Sequence, residues 1–135
     1  MPARYLLDTD TVSYAIRGEP PAVRRHLIAV PKSSIALSSF TQAELLYGLA
    51  RKPGAARLRS AVTGFLGNFV ILPWDSAAAA AYGDLRAAQE RKGQPLSHED
   101  LMIASHALSF GITLVTADRA FSFVDGLRTE DWTIA

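Results

Sequence analysis

Short apolar runs alternate along this chain with longer stretches in which apolar residues recur at helical spacing. Tyr5-Leu6-Leu7 stops abruptly at Asp8. A run without polar alternation reads as a strand buried on both faces, as in a parallel sheet. Residues 11–17 predict a short helix bearing Val12, Tyr14 and Ile16, ended by Gly18. Pro20-Pro21 fix the first turn of another over 22–30, with Val23, Leu27 and Val30 on one face, and Pro31 stops it. A second strand is predicted over 34–37. Ser38 or Ser39 then opens a helix carrying Leu45, Leu46 and Leu49, with Glu44 among them, until Pro53-Gly54 breaks the run. Residues 55–66 form an amphipathic helix with Leu58, Val62, Phe65 and Leu66 clustered, and 69–72 a third strand closed by Pro73. Asp75 or Ser76 caps an alanine-rich helix over 77–92, and a further helix over 97–110 ends at Gly111. A fourth strand over 112–115 leads into Thr116-Ala117-Asp118, and the tail over 127–134 offers a short last one.

Strands alternating with helices predict an α/β fold. The expected architecture is one domain over 1–135, with a central, mostly parallel sheet of four to five strands flanked by helices and joined by right-handed crossovers. A chain of 135 residues, 49% hydrophobic, can bury a core and is not a disordered composition. There are no cysteines, which excludes disulfides, thiolate metal sites and a cysteine nucleophile. No apolar run approaches the roughly 20 residues of a membrane span, and the start has too little apolar sequence for a signal peptide. A cytoplasmic protein with no membrane partner is therefore expected. Charge is nearly balanced at +1, but basic residues are grouped: Arg24-Arg25, Arg51-Lys52 with Arg57 and Arg59, and Arg91-Lys92. Such groups are solvated helix faces or phosphate contacts around an acidic centre.

Four acids stand out by position. Asp8 follows the first strand, Asp118 follows the fourth, Glu44 lies early in the helix after the second strand, and Asp100 lies in the first turn of the helix before the fourth. Ligands in open α/β sheets gather beyond the carboxyl ends of the strands. Asp8, Glu44 and Asp118 can share that rim; Asp100 joins them if its helix begins there. Each acid also has a plain structural reading. Asp8 is a good helix cap, Thr41-Gln42-Ala43-Glu44 and Ser97-His98-Glu99-Asp100 resemble capping boxes, and Asp118 can hold a turn. Brought together, they need a cation: two carboxylates about 5 Å apart at an effective dielectric near 20 repel by roughly 3 kcal/mol. Oxygen ligands without cysteine or a spaced histidine pair favour Mg²⁺ or Mn²⁺ over Zn²⁺, and such a centre suits attack of water on a phosphodiester. His26, His98 and His106 read as structural or surface residues.

The segments Tyr5-Leu6-Leu7-Asp8-Thr9-Asp10, Ser39-Phe40-Thr41-Gln42-Ala43-Glu44-Leu45-Leu46-Tyr47-Gly48, Glu99-Asp100-Leu101-Met102-Ile103-Ala104-Ser105-His106-Ala107 and Leu114-Val115-Thr116-Ala117-Asp118 together resemble PIN-domain ribonucleases. Most closely they are similar to the VapC-type toxins of bacterial toxin–antitoxin pairs. The resemblance implies an endoribonuclease that inhibits translation and growth. It also implies a Mg²⁺ or Mn²⁺ centre held by Asp8, Glu44, Asp100 and Asp118, with Thr9, Asp10 and Thr116 in support. It implies an RNA substrate, a homodimer, and a VapB-like antitoxin whose tail lies over the active-site groove. Val12, Ile16, Leu27, Leu46 and Leu49 either line that groove or belong to the core. Arg119, Lys52 and Arg17 are the candidate RNA backbone contacts. Two rivals follow from other features. Asp8-Thr9-Asp10-Thr11-Val12 also resembles the first motif of haloacid-dehalogenase-type phosphatases, whose later acidic motif Thr116-Ala117-Asp118-Arg119 does not match. A binding module could keep the same acids for a partner alone.

Overall fold

β1 (Tyr5–Leu7) forms the middle of a sheet whose other strands are β2 (Ile35–Ser38), β3 (Val70–Leu72), β4 (Thr113–Val115) and β5 (Thr129–Glu130). The structure, a computed structural model, describes residues 2–135. Strand order is β3-β2-β1-β4-β5, and every pairing is parallel; Leu7 lies opposite both Leu37 and Val115. The sheet is thus wholly parallel, where the sequence led us to expect only a mostly parallel one.

Among the described residues six helices connect the strands: α1 (Thr9–Arg17), α2 (Pro21–Ala29), α3 (Ser39–Ala50), α4 (Ala56–Leu66), α5 (Ser76–Arg91) and α6 (His98–Phe110). Successive side chains of a strand point to opposite faces, so β1 feeds two cores. Leu6 joins Ala36, Leu114 and the α6 residues Leu101, Ile103, Ala104 and Ala107 on one side. Leu7 joins Leu37, Val115, Val12 and Trp132 on the other. This double coverage is why the strands are continuous apolar runs. No helix among the described residues is long and apolar enough to cross a membrane.

The predicted elements form with ends shifted by one or two residues, apart from β5, which keeps only two residues of the expected tail strand. Two short 3₁₀ turns, Lys32–Ser34 and Arg119–Phe123, are not legible in the sequence because three to five residues carry no periodicity. α1 begins at Thr9 because Asp8 accepts the Thr11 N–H at 2.8 Å as its N-cap. Its other end is tight. Gly18 adopts φ 78°, and an added Cβ would stand 2.9 Å from the Arg24 guanidinium carbon. That guanidinium donates to the Ala15 and Ile16 carbonyls at 2.9 and 3.0 Å, closing the helix. Gly18→Ala is therefore expected to cost about 1–2 kcal/mol, since it puts a side chain in left-handed backbone and displaces that clamp. Urea unfolding would check this; an unchanged midpoint would contradict it.

Candidate active site

Because β4 runs parallel to β1, the helix that feeds it must start at the rim where β1 ends. Asp100, the third residue of α6, is thereby carried to the same rim as Asp8. There a cavity of about 140 Å³ is lined by Asp8, Asp10, Glu44, Glu99 and Asp100 with Thr9, and by the apolar side chains Phe40, Ile103 and Phe121. Glu99 is not among the residues expected from sequence. Its position beside Asp100 in the first helical turn is the available signal, but a helix cap accounts for that stretch equally well.

The structural readings of the acids hold in part and do not displace them. Asp8 caps α1 through one oxygen, Oδ1, while lining the cavity. Ser97 caps α6 by accepting the Asp100 N–H at 3.1 Å, so that turn is a genuine cap. Glu44 is different: Ser38, not Thr41, caps α3, and the box expected at Thr41 does not form. Instead the Thr9 hydroxyl donates to Glu44 Oε1 and lies 3.2 Å from the Thr41 hydroxyl. Asp118 does not line the cavity. Its Oδ1 accepts the Ala120 N–H at 2.9 Å, holding the 3₁₀ turn that follows. Thr116 stands between two acids, accepting the Asp118 N–H at 3.1 Å and, towards the Asp8 carboxyl, lowering its proton affinity.

Burial pushes the Asp8 carboxyl above its usual range; hydrogen bonds from Thr11 and Thr116 pull the other way, and the Asp10 charge adds to the rise. Asp100 is raised as well, by burial first and then by the charge of Asp118, with Asp8 and Glu99 contributing against a Ser97 hydrogen bond. Asp118 thus acts on the site electrostatically from outside the cavity wall. Among the described residues no positively charged side chain lines this cavity, so the repulsion is not relieved by an ion pair.

Among the described residues, no three acidic or histidine side chains close into a ready metal cage. The donor chemistry nonetheless fits a hard cation. The lining donors are oxygens, and two of the carboxyls carry a proton affinity that a cation would lower. Mg²⁺ and Mn²⁺ complete their shells with water and do not require a full protein cage. None of the three histidines lines the cavity.

A wider groove of about 430 Å³ adjoins the cavity and shares Thr9 and Glu44 with it. Ile16, Leu45, Leu49, Leu58 and Val62 give it an apolar middle, and Arg17, Arg51 and Lys52 a basic rim. Of the residues expected in a groove or core, Ile16 and Leu49 line it. Val12 is buried and Leu27 packs on the core, while Leu46 is exposed outside the lining. Of the three candidate RNA contacts, Arg17 and Lys52 stand on this basic rim, and Arg119 is exposed beside Asp118.

The sequence matches the PIN domain over residues 5–127. It is 37% identical over 130 residues to the tRNA(fMet)-specific endonuclease VapC of Shigella flexneri, covering 96% of this chain and 98% of that protein. Ribonuclease VapC2 of Rickettsia felis is 35% identical, with 95% and 97% covered. The fold superimposes on the structure of DNA-bound VapBC from Salmonella typhimurium with a TM-score of 0.89 and 36% identity, over 96% of this chain and 98% of that one. For VapBC2 from Rickettsia felis bound to a promoter DNA fragment the TM-score is 0.86 at 34% identity, over 93% and 96%. Similarity of this extent, running from the first strand through the last acidic motif, places the chain in the PIN-domain family, among the VapC-type endoribonucleases of toxin–antitoxin systems.

Proposed function

We propose that this chain, as one PIN domain over 1–135, hydrolyses RNA phosphodiesters in the cavity beyond β1, with Mg²⁺ or Mn²⁺ as its cofactor. The observation that carries this reading is the convergence of five carboxylates, from α1, α3, α6 and the end of β1, on one cavity without a cationic side chain. Asp8, Glu44 and Asp100 would hold the cation from the cavity wall, with Asp118, whose charge reaches Asp100 from beside the cavity, as the fourth acid of the set. When bound, the cation supplies positive charge to the phosphate oxygens and makes water acidic enough to attack near neutral pH. Asp100 orients the attacking water and takes its proton, a role suited to a carboxyl with raised proton affinity. Thr9 holds Glu44, and Thr116 holds the Asp8 and Asp118 side of the site. Asp10, exposed at the cavity edge, adds negative charge beside Asp8. Arg17 and Lys52 lead the RNA backbone towards the acids along the groove.

In this reading the protein acts in the cytoplasm as a homodimeric toxin that stops translation and growth. A VapB-like antitoxin silences it by laying an apolar segment in the groove, which the apolar middle of that groove favours. The first substrate to test is initiator transfer RNA, because relatives at 37% and 36% identity are named tRNA(fMet)-specific endonucleases. Purified protein with Mn²⁺ is expected to cut this RNA at defined sites and to stop cutting when EDTA is added. Induced expression should arrest growth, with relief by co-expression of a VapB-like antitoxin. RNA left intact across transfer, messenger and ribosomal pools in the presence of Mn²⁺ would leave a binding module as the better account.

A further inference from the structure

The helices that carry Glu44 and Asp100 are joined by a buried polar seam with no part in that chemistry. His106 lies six residues beyond Asp100 on α6, and Ser38 six residues before Glu44 at the start of α3; both are 0% exposed. Ser38 Oγ accepts the Phe40 N–H at 3.0 Å and stands 2.9 Å from His106 Nδ1. With the backbone donating to that oxygen, the hydroxyl proton is free for the ring. The Pro73 carbonyl also acts on the ring, although no partner meets hydrogen-bond geometry at Nε2. A hydroxyl proton donated to Nδ1 puts the ring's own proton on Nε2.

Trp74 crosses the same seam. Its backbone N–H donates to Ser39 Oγ at 2.9 Å, and its indole N–H donates to the Met102 carbonyl at 2.9 Å. The first residues of α3 are thus tied to the second turn of α6 through Trp74, and Ser38 just before them to its third turn through His106. Apolar side chains would fill this space at lower desolvation cost, but they would not fix how one helix sits along the other; paired buried polar groups do.

We propose that His106 is a positioning residue. Its bond to Ser38 holds α6 in register against the start of α3, so that Glu44 and Asp100 face one cation across the cavity. This rests on the reading of those carboxylates as cation ligands.

The test is Mn²⁺ titration calorimetry on the full chain, alongside RNA cleavage, for the parent, His106→Leu, His106→Asn and His106→Gln. For His106→Leu, circular dichroism should show a folded protein. Its Mn²⁺ dissociation constant should rise on the order of 10-fold, as for loss of groups that orient metal ligands. Its kcat should fall similarly while KM stays within about 2-fold, because substrate binding is not what is lost. His106→Asn places an amide oxygen near the Nδ1 position and should recover most of the affinity; His106→Gln reaches towards the Nε2 position and should not. A residue that only filled the core would leave Mn²⁺ affinity alike in every folded variant, and that result overturns the proposal. If His106→Leu does not fold, the Asn and Gln variants decide: tight against weak supports the proposal, and equal affinities overturn it. A parent that binds no Mn²⁺ refutes the cation reading itself, a different failure from a parent that binds and variants that match it.

Discussion

Asp8→Asn is expected to reduce RNA cleavage by on the order of 100-fold or more, while raising the melting temperature of the metal-free protein. The two effects share a cause. Asp8 is only 8% exposed, and burial raises its carboxyl above the unfolded value, so its charge is held at a cost. The folded state then binds more protons than the unfolded state between the two pKa values. Stability therefore falls as pH rises through that window and stays reduced above it. Asparagine removes the charge but keeps an oxygen for the Thr11 N–H, so the cap on α1 survives. In EDTA near pH 7 the variant should melt higher than the parent. The gap should narrow as the pH is lowered through the raised folded-state value of the parent carboxyl towards that of an unfolded aspartate. Mn²⁺ should raise the melting temperature of the parent and not of the variant, since only the parent gains a ligand bound to the folded state. A variant that melts lower in EDTA would show that the carboxylate serves the fold first. One that cuts as fast as the parent would remove Asp8 from the site.

Much of this centre is legible in the amino-acid sequence because strand ends and caps leave local marks. An apolar run stopped by Asp8 locates a strand terminus, and Ser97 three residues before Asp100 locates a helix start. What local pattern cannot supply is chain direction. Asp100 reaches the rim only because β4 is parallel to β1, a pairing made across 108 residues at Leu6↔Leu114. The groove shows the same limit. Val12 and Ile16 have the i, i+4 spacing of one apolar face, yet Val12 is fully buried and Ile16 lines an open groove. Periodicity marks a face as apolar without saying whether core or space lies against it. The His106–Ser38 bond joins residues 68 apart and leaves no trace in spacing at all.

Trp132→Ala is expected to cost about 3–5 kcal/mol, the range for emptying a large aromatic site. Total stability for a domain of this kind is about 5–15 kcal/mol, so the variant would be close to unfolding at physiological temperature. Trp132 lies beyond the matched PIN segment, which ends at residue 127, yet it is one of the most deeply buried side chains. Its ring packs 5.2 Å from Tyr5 and stacks 5.4 Å from His26, and its indole N–H donates to Glu130 at 3.0 Å. β5 itself has two exposed residues, and besides its backbone bonds to β4 and the packing of Leu127 it is this anchor that fixes the tail. The strand matters to the site, because the Glu130 carbonyl accepts the Thr116 N–H at 2.9 Å, and Thr116 accepts the Asp118 N–H and acts on the Asp8 carboxyl. Urea unfolding should show a much lower midpoint for Trp132→Ala and a smaller loss for Trp132→Phe, which keeps most of the ring packing. Cleavage by Trp132→Ala should return on cooling, as the folded fraction recovers, whereas Asp8→Asn should stay inactive at every temperature. A Trp132→Ala midpoint equal to that of the parent would mean that the tail merely rests on the sheet and that the Thr116 side of the site is held by β4 alone.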